Sequence, residues 1–232
     1  MRALLLAAGK ATRLGSLSQV TPKCLHPVDG EPLLDRIIRQ LRDAGVEEIM
    51  INTHHLAQQV EAHVWSSEWR EDVTLSYEPT LLGTLGTLRA NADFLAAEGG
   101  WVVHADNLII GPLSQLSADY FSRPSEAWGA LLAFRTGSPE SCGVVTMDRR
   151  QLMTGFFEKV REPPSNLASA ATMILDERAV ALARSQPVSA TDLSRDFLPL
   201  LTGRLVVSVH STPVIDIGTP EGLSKARRLT QP

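Results

Sequence analysis

Apolar residues follow two rhythms along the first half of the chain. Residues 2–7 form a short apolar run stopped by Gly9, which predicts a buried strand. Leu33, Leu34, Ile37, Ile38 and Leu41 recur at helical spacing and stop at Gly45, predicting a helix beyond a long loop. The same reading predicts strands at 48–52, 73–77 and 101–105, with helices at 56–65 and 84–95 between them. Strands that alternate with helices imply parallel strands, right-handed crossovers, helices on both faces and ligands at the carboxyl ends of the strands. The loops after Leu6, Tyr77 and His104 should therefore gather at one mouth.

Beyond Trp128 the pattern loosens into short strand-like runs at 129–134, 143–147, 155–158, 170–175 and 205–209. This half is expected to be a mixed extension that lies against the parallel sheet and closes one side of the site. No repeat or linker interrupts the chain, so residues 1–232 are expected to form a single domain.

Composition removes several functions. The 232 residues are 44% hydrophobic and 21% charged, with a net charge of -4 and a pI near 5.9. No basic excess is available for a nucleic-acid or anionic-membrane surface, so the partner is expected to be small. The longest apolar stretch is too short for a membrane span or a signal peptide, and Cys24 and Cys142 form neither a disulfide framework nor a zinc spacing. A cytoplasmic protein is expected.

The first strand runs into Leu6, Ala7, Ala8, Gly9, Lys10, Ala11, Thr12, Arg13, a loop of small residues whose backbone N–H groups can approach phosphate while Arg13 adds charge. It is neither a Walker loop nor a dinucleotide fingerprint. Ten residues on come Pro22, Lys23, Cys24 and Leu25. The span Leu4 to Leu25 resembles the signature of the sugar-1-phosphate nucleotidylyltransferases, Leu-Ala-Ala-Gly-x-Gly-x-Arg-Leu, a gap, then Pro-Lys-x-Leu. Four further segments match in order: Glu78 with Leu82, Gly83, Thr84 and Gly86; Ala105, Asp106 and Asn107; Phe157, Glu158 and Lys159; and Asp216, Gly218, Thr219 and Pro220.

That resemblance implies an α/β fold with a Rossmann-like (GT-A type), mostly parallel sheet. It also implies a reaction in which a sugar 1-phosphate oxygen attacks the α-phosphorus of a nucleoside triphosphate and expels pyrophosphate. By analogy Arg13 and Lys23 hold the triphosphate and Lys159 grips the sugar phosphate. Asn107, Glu158 and Ala171 lie beside the sugar. Asp106 and Asp216, at strand ends, suit Mg²⁺, a hard cation that takes one or two carboxylates plus phosphate oxygens and water. His104 is expected on the opposite side of its strand, away from Asp106. His54 and His55 read as loop histidines.

Two small-residue positions depart from the family pattern, with Ala11 and Ala171 where glycine is usual. The Ala11 methyl is tolerable only with ordinary backbone torsions. Glu78 is an acceptor-only side chain that complements the two adjacent donors of guanine, so GTP is favoured. The short length and the run from Glu158 through Leu167 are similar to bacterial guanylyltransferases acting on mannose or manno-heptose 1-phosphate. Two alternatives stand beside this one: a uridylyl- or thymidylyltransferase on a hexose or amino-sugar phosphate, and a regulatory subunit that binds nucleotide sugar without turnover. A homo-oligomer is compatible with either.

Overall fold

The computed structural model of the chain describes residues 1–211 and 213–229. Its N-terminal half opens with β1 (Arg2–Leu6), the short helix α1 (Leu17–Val20) and a small hairpin of β2 (Pro27–Val28) and β3 (Glu31–Pro32). There follow α2 (Leu33–Asp43), β4 (Glu48–Thr53), α3 (Ala57–Ser66), β5 (Val73–Tyr77), α4 (Thr84–Ala90), α5 (Ala92–Leu95) and β6 (Gly100–His104). β1 lies between β4 and β6, and β5 pairs with β4, all parallel. The alternating pattern therefore gives the expected crossovers. The expected 84–95 helix is broken at Asn91, whose backbone N–H and side-chain Nδ2 both donate to Thr87 O, at 3.0 and 2.9 Å, and cap the first segment.

Helices cover both faces. One apolar layer joins Ala3, Leu5 and Trp101 to Leu33, Leu34, Ile37, Ile38 and Leu41 of α2 and to Val60 and Val64 of α3. The other joins Leu4 and Val102 to Leu85, Leu88, Ala92 and Leu95. Alternate residues of β1 face opposite layers, as a pleated strand buried on both sides requires.

The C-terminal half comprises β7 (Asn107–Ile109), α6 (Ser114–Phe121), β8 (Gly129–Arg135), β9 (Gly143–Met147), β10 (Met153–Glu158), β11 (Leu167–Leu175), α7 (Glu177–Ser185), β12 (Leu205–His210), β13 (Val214–Asp216) and α8 (Pro220–Leu229). It does not lie against the parallel sheet as expected. It continues that sheet, because β11 pairs antiparallel with β6 on one edge and with β8 on the other. β9 and β10 extend the same sheet, and β12 closes onto β8 in parallel. Between Ser169 and Met173 the register of β11 shifts in a bulge, with Ala171 at φ 50°. β7 and β13 form a separate antiparallel ribbon that sets Asn107 opposite Asp216. Among the described residues no helix is long and apolar enough to cross a membrane.

Candidate active site

Two adjoining clefts open at the carboxyl ends of β1, β4 and β6. The first is lined by Leu6, Ala7, Ala8 and Gly9 from the first loop, by Gly83, Thr84 and Thr87, and by Lys23, Asn52 and Asp106. The second is lined by Arg13, Asn107, Glu158, Lys159, Ala171 and Asp216. His104 and Asp106 belong to both walls. The placement of His104 corrects the expectation that it turns away, because residues two apart on a pleated strand share a face.

The first loop uses its backbone donors in two ways. Ala7 N–H and Ala8 N–H donate to Asn52 Oδ1 at 2.7 and 3.3 Å, so they are not offered to phosphate as expected. Among the described residues the N–H groups of Gly9, Lys10, Ala11, Thr12 and Arg13 meet no protein acceptor, and a run of free amides on a turn suits an anion. Ala11 makes that turn at φ 52°. Its torsions are thus left-handed, the region where glycine is the unstrained residue. Lys10, Ala11 and Thr12 line neither cleft, while Arg13 faces the second.

Where the clefts meet, Lys23 is held in a short helical turn (Lys23–Leu25) that Pro22 starts and buried Cys24 anchors. Lys23 is only 8% exposed. Its ammonium donates to Asp106 Oδ2 at 2.6 Å and to Asp216 Oδ1 at 2.8 Å. Arg13 Nη2 donates to the other Asp216 oxygen at 2.9 Å. Gly218 leaves room for this, since a Cβ there would stand 2.2 Å from Lys23 Nζ. Its N–H also donates to Asp216 Oδ1 at 2.7 Å. Burial raises the Asp216 pKa, yet the Lys23 charge, the Lys23 and Gly218 hydrogen bonds and the Arg13 hydrogen bond outweigh it and hold the carboxyl below its ordinary range. Burial pushes the Cys24 thiol up to about 12, which leaves it protonated and inert.

This arrangement fits a hard divalent cation. Two carboxylate oxygens already converge on one ammonium, the size of seat a small cation needs. Among the described residues no cluster of three or more metal-ligating side chains exists, so a cation here would complete its shell with substrate oxygens and water.

In the second cleft Lys159 stands at φ 50° with its amide donating to Cys142 O at 3.1 Å and its ammonium 3.5 Å from Glu158 Oε1. A Cβ at Gly143 would meet Glu158 Oε2 at 2.6 Å, so glycine there lets the carboxylate lie across the strand. Asn107 Nδ2 donates to Ala170 O at 3.0 Å, a carbonyl freed by the bulge at Ala171. Arg135 and Lys225 also line this cleft. The sequence reading did not select them, and an isolated surface cation carries no signal by which it could have done so.

On the base side the structure parts from the Glu78 expectation. Glu78 is 3% exposed. Its Oε1 accepts from Asn52 Nδ2 at 2.8 Å and from the Thr87 hydroxyl, and Oε2 accepts from Leu82 N–H at 3.0 Å. It therefore lies beneath the Gly83–Thr84 turn, with its oxygens engaged by protein donors. Gly83 sits at φ 76°, where a Cβ would meet Thr191 O at 2.6 Å. His54 Nδ1 contacts Glu78 O at 2.8 Å and His55 Nε2 contacts Ser18 O at 2.7 Å, so both tie loops together.

The family model described as nucleotidyl transferase matches residues 2–231. A mannose-1-phosphate guanylyltransferase of Mycobacterium tuberculosis is 27% identical over 225 residues, covering 94% of this chain and 61% of its own length. A mannose-1-phosphate guanyltransferase of Saccharomyces cerevisiae is 27% identical over 207 residues, covering 87% and 56%. The chain thus spans about three fifths of these relatives. Among solved structures, HddC from Yersinia pseudotuberculosis complexed with GMP-PN has a TM-score of 0.81 at 23% identity, covering 99% of both chains. That likeness concerns the fold.

Proposed function

Since the chain belongs to the nucleotidyl transferase family, we propose that it joins GTP and an α-sugar 1-phosphate of the mannose or manno-heptose type, giving a GDP-sugar and pyrophosphate. The observation that carries this reading is the junction of the clefts, where Lys23, Arg13, Asp106 and Asp216 converge. The nucleoside occupies the first cleft, and its triphosphate leaves that cleft past Gly9 to reach the free amides of the first loop. The sugar phosphate occupies the second, against Lys159. One of its oxygens attacks the α-phosphorus in line as the bond to the bridging oxygen of pyrophosphate breaks. Two anions must be brought together, so positioning and charge neutralisation dominate. Two of the three Lys23 protons lie on carboxylates, and the third is free for an α-phosphate oxygen. Arg13 neutralises charge from the second cleft. Mg²⁺, when bound by Asp106 and Asp216, supplies further neutralisation of the phosphate oxygens.

The choice of GTP and of a mannose-type sugar is supported by the names of the relatives. The side chain of Glu78 no longer supports it, because its acceptors are already engaged. The test is pyrophosphate release with Mg²⁺ across four nucleoside triphosphates and a panel of sugar 1-phosphates that includes mannose and manno-heptose. Release in the GTP column is expected. Release only with UTP or dTTP would overturn the base assignment, and absence of release from folded protein that binds nucleotide would overturn the activity.

A further inference from the structure

The floor of the first cleft contains a closed polar triangle. Asn52, the penultimate residue of β4, lies between Leu6 of β1 and Ser76 of β5. Asn52, Glu78 and Thr87 are 3%, 3% and 1% exposed. Asn52 Oδ1 accepts the Ala7 and Ala8 amides, and its Nδ2 donates to Glu78 Oε1 at 2.8 Å and to Thr87 Oγ1 at 3.0 Å. The Thr87 hydroxyl donates in turn to Glu78 Oε1 at 2.5 Å, and Glu78 Oε2 holds the Leu82 amide. The Asn52 amide nitrogen thus faces two acceptors, and its Oδ1 faces two donors. Reversing the amide would set donors against the Ala7 and Ala8 amides.

We propose that Asn52 is a positioning residue for nucleotide binding, fixing the separation between the phosphate-side loop at Ala7–Ala8 and the base-side turn at Leu82–Thr84. This rests on the nucleotidyltransferase reading of the cleft. The two loops belong to different strands and face the nucleotide from opposite ends. Without the link the distance between the two loops would be fixed only when the nucleotide binds, and that adjustment would weaken affinity. The triangle carries the link through buried hydrogen bonds, each strengthened by its dry surroundings and costly to leave unmade.

The triangle's polarity gives a test that separates positioning from bulk stability. Asn52→Asp sets an acceptor against an acceptor at Glu78. Glu78→Gln sets a donor against a donor or removes the acceptor from Leu82. In N52D/E78Q the polarity reverses as a whole: the new amide donates to the new carboxylate and to Thr87, the Thr87 hydroxyl turns to the carboxylate, and the Ala7, Ala8 and Leu82 amides keep their acceptors.

Each single variant is expected to raise KM for GTP at least tenfold and leave KM for mannose 1-phosphate within about twofold. The double variant is expected to return KM for GTP to within about threefold of wild type. Calorimetric binding of GTP with Mg²⁺ should follow the same order without turnover, and Thr87→Ala, a milder change, serves if a single variant fails to fold. A double variant no better than the worse single, or a loss shared equally by both KM values, would overturn the proposal. Wild-type protein that binds GTP and releases no pyrophosphate would overturn the activity, while the calorimetric order would still decide the role of Asn52. Wild-type protein that binds no nucleoside triphosphate would overturn both.

Discussion

Lys23 stands where a divalent cation would compete with it for the Asp106 and Asp216 carboxylates and where the substrate's phosphates would compete for its protons. The ammonium holds two carboxylates together, and Gly218 exists as glycine because the Lys23 tip fills the space of its Cβ. Lys23→Met is expected to lower turnover on the order of 10² to 10³-fold through lost stabilisation of phosphate charge. The same variant should bind Mn²⁺ alone more tightly, read by titration, because no ammonium competes for the carboxylates. An unchanged Mn²⁺ affinity would show that Asp106 and Asp216 do not form the seat. Ala171 offers a stability test, since a left-handed alanine costs roughly 1–2 kcal/mol, offset in part by the entropy that glycine adds to the unfolded chain. Ala171→Gly should stabilise by about 0.5–1 kcal/mol in chemical denaturation; a loss of stability would contradict the strain. At this scale the motifs brought Asp106 and Asp216 to one mouth, and the structure sets Lys23 between them. They could not show that the Glu78 acceptors are spent on Asn52, Thr87 and Leu82, because the bond to Asn52 spans 26 positions and the nearer bonds to Thr87 and Leu82 belong to no helix or strand repeat.

The elements that shape the base side are braced from the far end of the chain. Leu85 N–H donates to Thr191 O at 2.8 Å, and Leu193 N–H donates to Thr84 Oγ1 at 2.8 Å. Asp196 in turn accepts from the Thr191 and Asp192 amides at 2.9 Å. The Arg195 side-chain hydrogen bond, followed by the amides of Asp192 and Thr191, holds the Asp196 carboxyl far below the ordinary carboxylate range. A depressed folded pKa contributes stability that is fully present above the unfolded value of about 3.9 and is lost as pH falls toward the folded one. Asp196→Asn should therefore flatten the acid limb of the stability–pH curve below about pH 4. A limb as steep as wild type would remove Asp196 from that role. Gly83→Ala meets both a left-handed φ and the 2.6 Å approach to Thr191 O, and is expected to raise KM for the nucleoside triphosphate at least tenfold. Unchanged nucleotide kinetics would show that the turn does not shape the cleft.

The parallel elements were legible because buried strands and amphipathic helices write their burial into local spacing, as in Leu33–Leu41 on α2. α6, which precedes Trp128, and α7 and α8, which lie beyond it, are short helices that the loosening pattern did not single out. β7 and β13 are three-residue strands that exist through pairing with each other, a long-range fact no window of sequence contains.

Across the whole molecule, one continuous sheet carries both clefts. The parallel strands deliver the first loop, Asn52, Glu78 and Asp106 to a common end, and β11 crosses beside β6 to bring the bulge at Ala171 to the second cleft. The β7–β13 ribbon then returns Asp216 to Lys23 from 193 positions along the chain. Fold and reaction geometry are thus linked at Asp216, which lines the second cleft with Lys159 and is bonded to Lys23 and to Arg13 of the first loop. The central claim is that a sugar phosphate in the second cleft attacks the α-phosphorus of a nucleotide in the first. The most direct measurement is ³¹P NMR of the products formed from GTP and mannose 1-phosphate labelled with ¹⁸O in its non-bridging phosphate oxygens. The account predicts ¹⁸O at the sugar-side phosphorus and in the new P–O–P bridge of the nucleotide sugar, with pyrophosphate unlabelled. Label appearing in pyrophosphate, or nucleotide sugar whose bridge carries only ¹⁶O, would contradict it.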